Sequence, residues 1–160
     1  MMKIPTLYLG TSVVGGCFDD EWKEATLELL RQAELGLYRL VTSVVTAREV
    51  VDAPARVRQQ FSSTFTDPAQ VYALSAEAES LAQAYLAAGV VTPKYADDAR
   101  HVATATVNGL ALIVSWNFHH LVNVRREAGF NAVNLLQGYP CVRIVSPLEL
   151  IHENDEDEEV

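Results

Sequence analysis

The chain has only two cysteines, Cys17 and Cys141, in 160 residues. Two thiols make neither a disulfide framework nor, by themselves, a zinc site. The expectation is a reduced, cytoplasmic protein. No uncharged apolar run reaches the roughly 18 residues of a membrane helix, and no membrane partner is expected. The opening stretch MMKIPTLYLGTSVV holds one lysine, then Pro5, and runs on into strand-like sequence, so it is not read as a signal peptide. Cations are scarce: 12 Lys and Arg stand against 21 Asp and Glu, a net charge of −9. That argues against a long basic stripe and tight, salt-resistant binding to bulk nucleic acid. No phosphate-binding G-x-x-x-x-G-K-[ST] loop is present, and Gly15-Gly16 is too sparse to replace one. There is no internal repeat and no linker, so residues 1–151 read as one domain.

What is present is an ordinary globular balance, 49% hydrophobic and 21% charged. Six of the acidic residues crowd into the last eight positions, ENDEDEEV, and without them the net charge would be −3. A like-charged run repels itself and stays solvated. Residues 152–160 are therefore read as an acidic disordered tail, with mimicry of nucleic acid as the sharper alternative.

Short apolar runs alternate with helical patterns along the chain. Strands are expected at Thr6–Leu9, Tyr38–Val41, Val71–Leu74, Leu110–Val114 and Val142–Val145. Gly10-Thr11-Ser12 reads as a turn after the first strand, and Gly15-Gly16 as a loosened stretch beyond it. Helices are expected from Asp19 to about Gly36, after a Ser43 cap, from Pro54 to about Phe65, over Ala76–Ala88 behind a Ser75 cap, and over Lys94–Val107. A further helix spans Leu121–Leu136, with a break at Gly129, and Pro147 starts a short final one. The continuous LALIV run suits a strand buried on both faces. Alternation of this kind predicts an α/β fold, a three-layer α/β/α sandwich around a parallel sheet of four or five strands.

In such a sheet, ligands bind beyond the carboxyl ends of the strands. The residues just past those ends are Gly10-Thr11-Ser12, the helix bearing Glu49, and Ser115-Trp116-Asn117. The helix entering the fourth strand brings Asp97, Asp98 and His101 to the same end. Gathered carboxylates repel unless a cation neutralises them, and oxygen-rich clusters suit Mg²⁺ or Mn²⁺.

Five stretches resemble the PIN domain, the metal-dependent nuclease fold of many bacterial toxins. They are LYLGTSV, VTSVVTAREVV, the third and fourth motifs joined in YADDARHVATATVNGLALIVSWNFHHL, and the closing VRIVSPLELI. The resemblance covers about residues 4–151, and its distinctive part runs from Asp97 to His120. It implies Glu49, Asp98 and Asn117 as catalytic and metal-ligating residues, with Gly10, Thr11, Ser12 and Asp97 in support. It implies Mg²⁺ or Mn²⁺ as the only cofactor, RNA as substrate, an antitoxin partner and a homodimer. Gly10 departs from the pattern, because the family carries an acidic residue there. Asn117 is neutral where many members have Asp. A metal held by fewer anions binds weakly, so the expected ribonuclease is a weakened one.

Other roles for these residues stay open. Asp98 also suits the helix dipole, Asn117 also suits a cap for a helix from Phe118, and Asp97 is placed to pair with His101 four residues on. His101 reads as a packing residue. His119 and His120 are neighbours, and neighbours in a helix point apart. Arg48, Arg56, Arg58, Lys94, Arg125 and Arg126 flank the proposed cleft. Two further readings compete with the nuclease: a degenerate PIN-like protein that binds RNA or protein without cutting, and an interaction module pairing through Ala76–Ala88.

Overall fold

A computed structural model of the chain describes residues 3–151. The acidic tail over 152–160 lies outside the described residues. The elements are β1 (Thr6–Leu9), α1 (Thr11–Gly16), α2 (Lys23–Glu34), β2 (Arg39–Ser43), α3 (Val44–Val50), α4 (Ala55–Thr64), β3 (Val71–Tyr72), α5 (Ala76–Ala87), α6 (Ala96–Val107), β4 (Leu112–Val114), α7 (Val124–Leu136) and β5 (Arg143–Val145). A last helical turn covers 147–151.

The five strands form one all-parallel sheet in the order β3-β2-β1-β4-β5. Helices cover both faces, which makes the predicted three-layer α/β/α sandwich. Side chains alternate across a strand, so each register row belongs to one layer. Tyr8, Val41, Ile113 and Ile144 line up across four strands and pack under α5, α6 and α7. Leu7, Leu9, Leu40, Val114 and Val145 point the other way, against α1, α2, α3 and α4. With both faces covered, the strands need unbroken apolar runs rather than alternation.

Local chemistry sets the element ends. Ser43 Oγ accepts from the Val45 amide at 3.1 Å, and Ser75 Oγ from the Ala78 amide at 3.1 Å, so both predicted caps form. The structure departs from the sequence reading at α2, which begins at Lys23 rather than Asp19, at the shorter strands β3 and β4, and in α1 and α7. Gly10-Thr11-Ser12 is not a free turn, because α1 starts at Thr11 and continues through Gly15 and Gly16. A Cβ on Gly16 would stand 2.7 Å from Thr26 Oγ1 and 2.8 Å from Trp116 Nε1. That glycine therefore allows close packing of α1 rather than loosening it. Helix α7 begins at Val124 rather than Leu121, behind Asn123, whose Oδ1 accepts from the Arg125 and Arg126 amides. It also runs unbroken past Gly129.

Helix α5 spends its apolar residues Ala78, Leu81, Ala82 and Tyr85 on the core. The most exposed large apolar side chains are Val124 and Leu136 on α7, at 89% and 85%. No described helix is long and apolar enough to cross a membrane.

Candidate active site

The strand order reverses between β1 and β4, and the crevice beyond their carboxyl ends is where an open α/β sheet binds ligands. Gly10 lies at that end of β1. It extends β1 by one residue, and its amide donates to the Val114 carbonyl at 3.0 Å. Its φ of −78° and ψ of 168° are extended backbone open to any residue. A Cβ there would meet only Val114 O at 3.5 Å and Ser115 Cβ and Oγ at 4.0 Å, ordinary contact distances. A Cβ at position 10 therefore fits without a clash.

Hydroxyls tie the exits of β1 and β4 together. Ser12 Oγ and Ser115 Oγ share a hydrogen bond of 3.1 Å. The Trp116 amide donates to Ser12 Oγ and the Asn117 amide to Ser115 Oγ, each at 2.9 Å. Asn117 Oδ1 accepts from the amides of His119 and His120 at 3.2 and 3.0 Å. That oxygen thus caps the turn after β4. Between the two openings left by the sequence, cap or ligand, the geometry uses Oδ1 for the cap.

Glu49 sits in the last turn of α3, and its side chain is 33% exposed. Its Oε1 accepts from Thr11 Oγ1 at 2.9 Å and from His101 Nε2 at 2.5 Å. Among the described residues, Oε2 has no hydrogen-bond partner. Burial pushes the Glu49 carboxyl up, but the hydrogen bonds from His101 and Thr11 outweigh it, so the net shift is downward. Asp98 behaves oppositely. Burial dominates and raises its carboxyl above the usual range, and the negative fields of Glu49 and Asp97 push the same way against His101 and His120. Asp98 Oδ2 is buried without a partner, as is His120 Nδ1.

Asp97 bonds Arg100 at 2.9 Å rather than His101, and Arg100 also grips Glu79 at 2.8 and 3.1 Å. His101 is unavailable because both ring nitrogens are occupied: Nδ1 lies 2.6 Å from the Tyr8 hydroxyl, which lies 2.7 Å from Ser43 Oγ. Tyr8 and His101 are the site-wall residues that sequence reasoning missed as polar partners. One signal was there: a tyrosine in an otherwise aliphatic strand needs a partner for its hydroxyl when buried. Among the flanking cations, Arg56 lies over the Phe18 ring at 5.3 Å and Lys94 by the Tyr95 ring at 5.6 Å. Arg58 and Arg126 bond the carbonyls of Ala53 and Val90.

The architecture has solved counterparts. The chain is similar to FitAcB from Neisseria gonorrhoeae at a TM-score of 0.56 and 12% identity, over 88% of this chain and 97% of that one. This chain has a PIN-like fold. It is similar also to VapBC2 from Rickettsia felis bound to a DNA fragment from their promoter, at a TM-score of 0.50 and 11% identity, over 88% and 98% of the two chains. Identities this low carry the fold alone. No protein-family model matches the chain, and no curated protein matches its sequence.

The donor set of this PIN-like domain fits a divalent cation only in part. Two carboxylates supply free oxygens, Oε2 of Glu49 and the orphaned Oδ2 of Asp98. No group of three His, Cys, Asp or Glu side chains is gathered among the described residues. Such a pair suits a largely hydrated ion held at two points, not a closed cage.

Proposed function

We propose that this PIN-like domain is a Mg²⁺- or Mn²⁺-dependent ribonuclease with a weakened metal site, the toxin member of a toxin–antitoxin pair. The observation that supports the activity most is the orphaned, buried oxygen of Asp98 at the same sheet end as the half-free carboxylate of Glu49. An unneutralised buried acceptor is costly in a stable fold, and such costs cluster where a ligand offsets them. The toxin reading and the antitoxin partner rest on the sequence resemblance and on the similar structures, which come from toxin–antitoxin systems. The homodimer remains part of the proposal, with exposed Val124 and Leu136 of α7 better suited to it than α5.

Glu49 and Asp98 would hold the cation. When bound, it supplies a more acidic water and neutralises charge developing on the phosphate. The protein's own part is positional. Thr11 and His101 fix Glu49, the Ser12–Ser115 pair fixes the loop after β4, and Asn117 shapes the turn that borders the cleft. With two anions in place of three or four, occupancy and rate both fall.

Cleavage of single-stranded RNA, with and without EDTA, tests the reading. The expected result is weak EDTA-sensitive cutting by the unmodified protein and stronger cutting after Gly10→Asp. Absence of cutting by both folded proteins, with RNA retained in a binding assay, would instead support the degenerate reading that Gly10 and Asn117 favour.

A further inference from the structure

We propose that Tyr8 and His101 are positioning residues for Glu49, links in a buried hydrogen-bond chain that clamps one carboxylate oxygen and leaves the other to the cleft. The role of Glu49 as a cation ligand is taken from the proposed function; the chain itself stands on geometry.

The chain joins three elements that are far apart in sequence. It starts at the N-cap of α3, where the Val45 amide donates to Ser43 Oγ at 3.1 Å. It passes to the Tyr8 hydroxyl on β1 at 2.7 Å, to His101 Nδ1 on α6 at 2.6 Å, and from His101 Nε2 back to Glu49 Oε1 on α3 at 2.5 Å. With the ring neutral, one proton arrangement satisfies all four bonds. Ser43 Oγ accepts from the amide and donates to Tyr8, Tyr8 donates to Nδ1, and Nε2–H donates to the ionised Glu49. With a neutral ring, the reverse tautomer would set a bare Nε2 against the carboxylate, acceptor against acceptor. The anion therefore dictates the direction of the whole chain.

Burial makes the arrangement stiff. Tyr8 is 0% and His101 2% exposed, so solvent has little access to exchange these bonds. Thr11 adds a second donor to the same oxygen. Oε1 is thus saturated from two sides while Oε2 stays free, which fixes the carboxylate by its far oxygen, as partners of metal ligands commonly do. A residue needed only to fill the core would not need the Tyr8 hydroxyl, since phenylalanine occupies the same space.

The test uses the full chain and three readouts: imidazole ¹⁵N shifts of His101, the ¹³C shift of the Glu49 carboxyl, and Mn²⁺ affinity by electron paramagnetic resonance in the Gly10→Asp background. Tyr85→Phe is the matched control, because Tyr85 is also buried and bonds Asn134 and Thr106 outside this chain. The expected result without metal is an Nε2–H tautomer with a hydrogen-bonded Nδ1. Tyr8→Phe moves Nδ1 to a free acceptor and shifts the Glu49 carboxyl, whereas Tyr85→Phe does neither. Mn²⁺ affinity falls about tenfold with Tyr8→Phe. It survives better in His101→Gln, which keeps a donor for Glu49, than in His101→Ala. An Nδ1–H tautomer in the unmodified protein would overturn the proposal even if every variant failed to fold. So would equal effects of Tyr8→Phe and Tyr85→Phe on the Glu49 carboxyl. Absence of Mn²⁺ binding with the predicted shifts intact would sink the metal-site reading and leave the chain standing.

Discussion

Placing an aspartate at position 10 should lower the stability of the metal-free protein and raise that of the Mn²⁺-loaded protein. The backbone at Gly10 is extended, and a Cβ meets nothing closer than 3.5 Å, so no steric cost is expected. Replacing glycine at such a site stabilises by about 0.4–1 kcal/mol, by restricting the unfolded chain. Gly10→Asn should show that gain. Gly10→Asp adds a negative charge next to Thr11, whose hydroxyl bonds Glu49. Two like charges 4 Å apart repel by about 1 kcal/mol in water and about 4 kcal/mol at an effective dielectric of about 20. Glu49 is one-third exposed, so the repulsion falls between those limits and outweighs the backbone gain. The order in EDTA should be Asn above Gly above Asp. At one fixed Mn²⁺ concentration, about 100 times the Kd of the Asp variant, that variant gains about 2.7 kcal/mol and the weaker-binding proteins gain less. Urea unfolding at low ionic strength, in EDTA and in Mn²⁺, measures all of these values. Asp and Asn variants equally stable and equally indifferent to Mn²⁺ would show that position 10 and the two carboxylates do not share one cleft.

The two carboxylates should respond to mutation and pH with opposite signs. Asp98 has a raised pKa, so its ionised form costs stability at neutral pH; Asp98→Asn should raise the urea midpoint at pH 7, and the gain should shrink as acid protonates Asp98. Glu49 has a lowered pKa, so it stabilises above its unfolded value; Glu49→Gln should lower the midpoint at pH 7, and that loss should narrow as pH falls through the native value. Gly16→Ala should cost about 1–3 kcal/mol in urea unfolding, because its Cβ would enter the space of Thr26 and Trp116; an unchanged midpoint would mean that α1 does not pack there. Sedimentation at tens of micromolar should show a dimer that Leu136→Glu weakens; a monomer under those conditions would remove the homodimer from the account.

The layers of this fold were legible because they depend on features that short windows carry. Thr6–Leu9 matched its strand to the residue, and Ser43 and Ser75 announced their helices by a hydroxyl ahead of an apolar stripe. Long-range packing was not legible. Gly15-Gly16 looked like a loosened loop, yet Gly16 is the residue that lets α1 approach Trp116. Gly129 looked like a break, yet α7 crosses it against Val90. At the candidate site, resemblance supplied Glu49 and Asp98, and strand ends supplied their location. Spacing along α6 suggested an Asp97–His101 pair, but Arg100 takes Asp97 at i+3, while Tyr8 and Glu49 claim the imidazole from other elements. Those partners lie 93 and 52 residues away, and no local pattern reports such a contact.

Whether Glu49 and Asp98 hold one cation decides between a metal-dependent nuclease and a binding domain. Crystals of the Gly10→Asp variant soaked in Mn²⁺, with anomalous data collected near the manganese edge, address this directly. The predicted result is a single anomalous peak within coordination distance of Glu49 Oε2, Asp98 Oδ2 and the new carboxylate, lost when Glu49→Gln is added. A peak at His119 or His120 instead, or none between Glu49 and Asp98 at saturating Mn²⁺, would contradict the site.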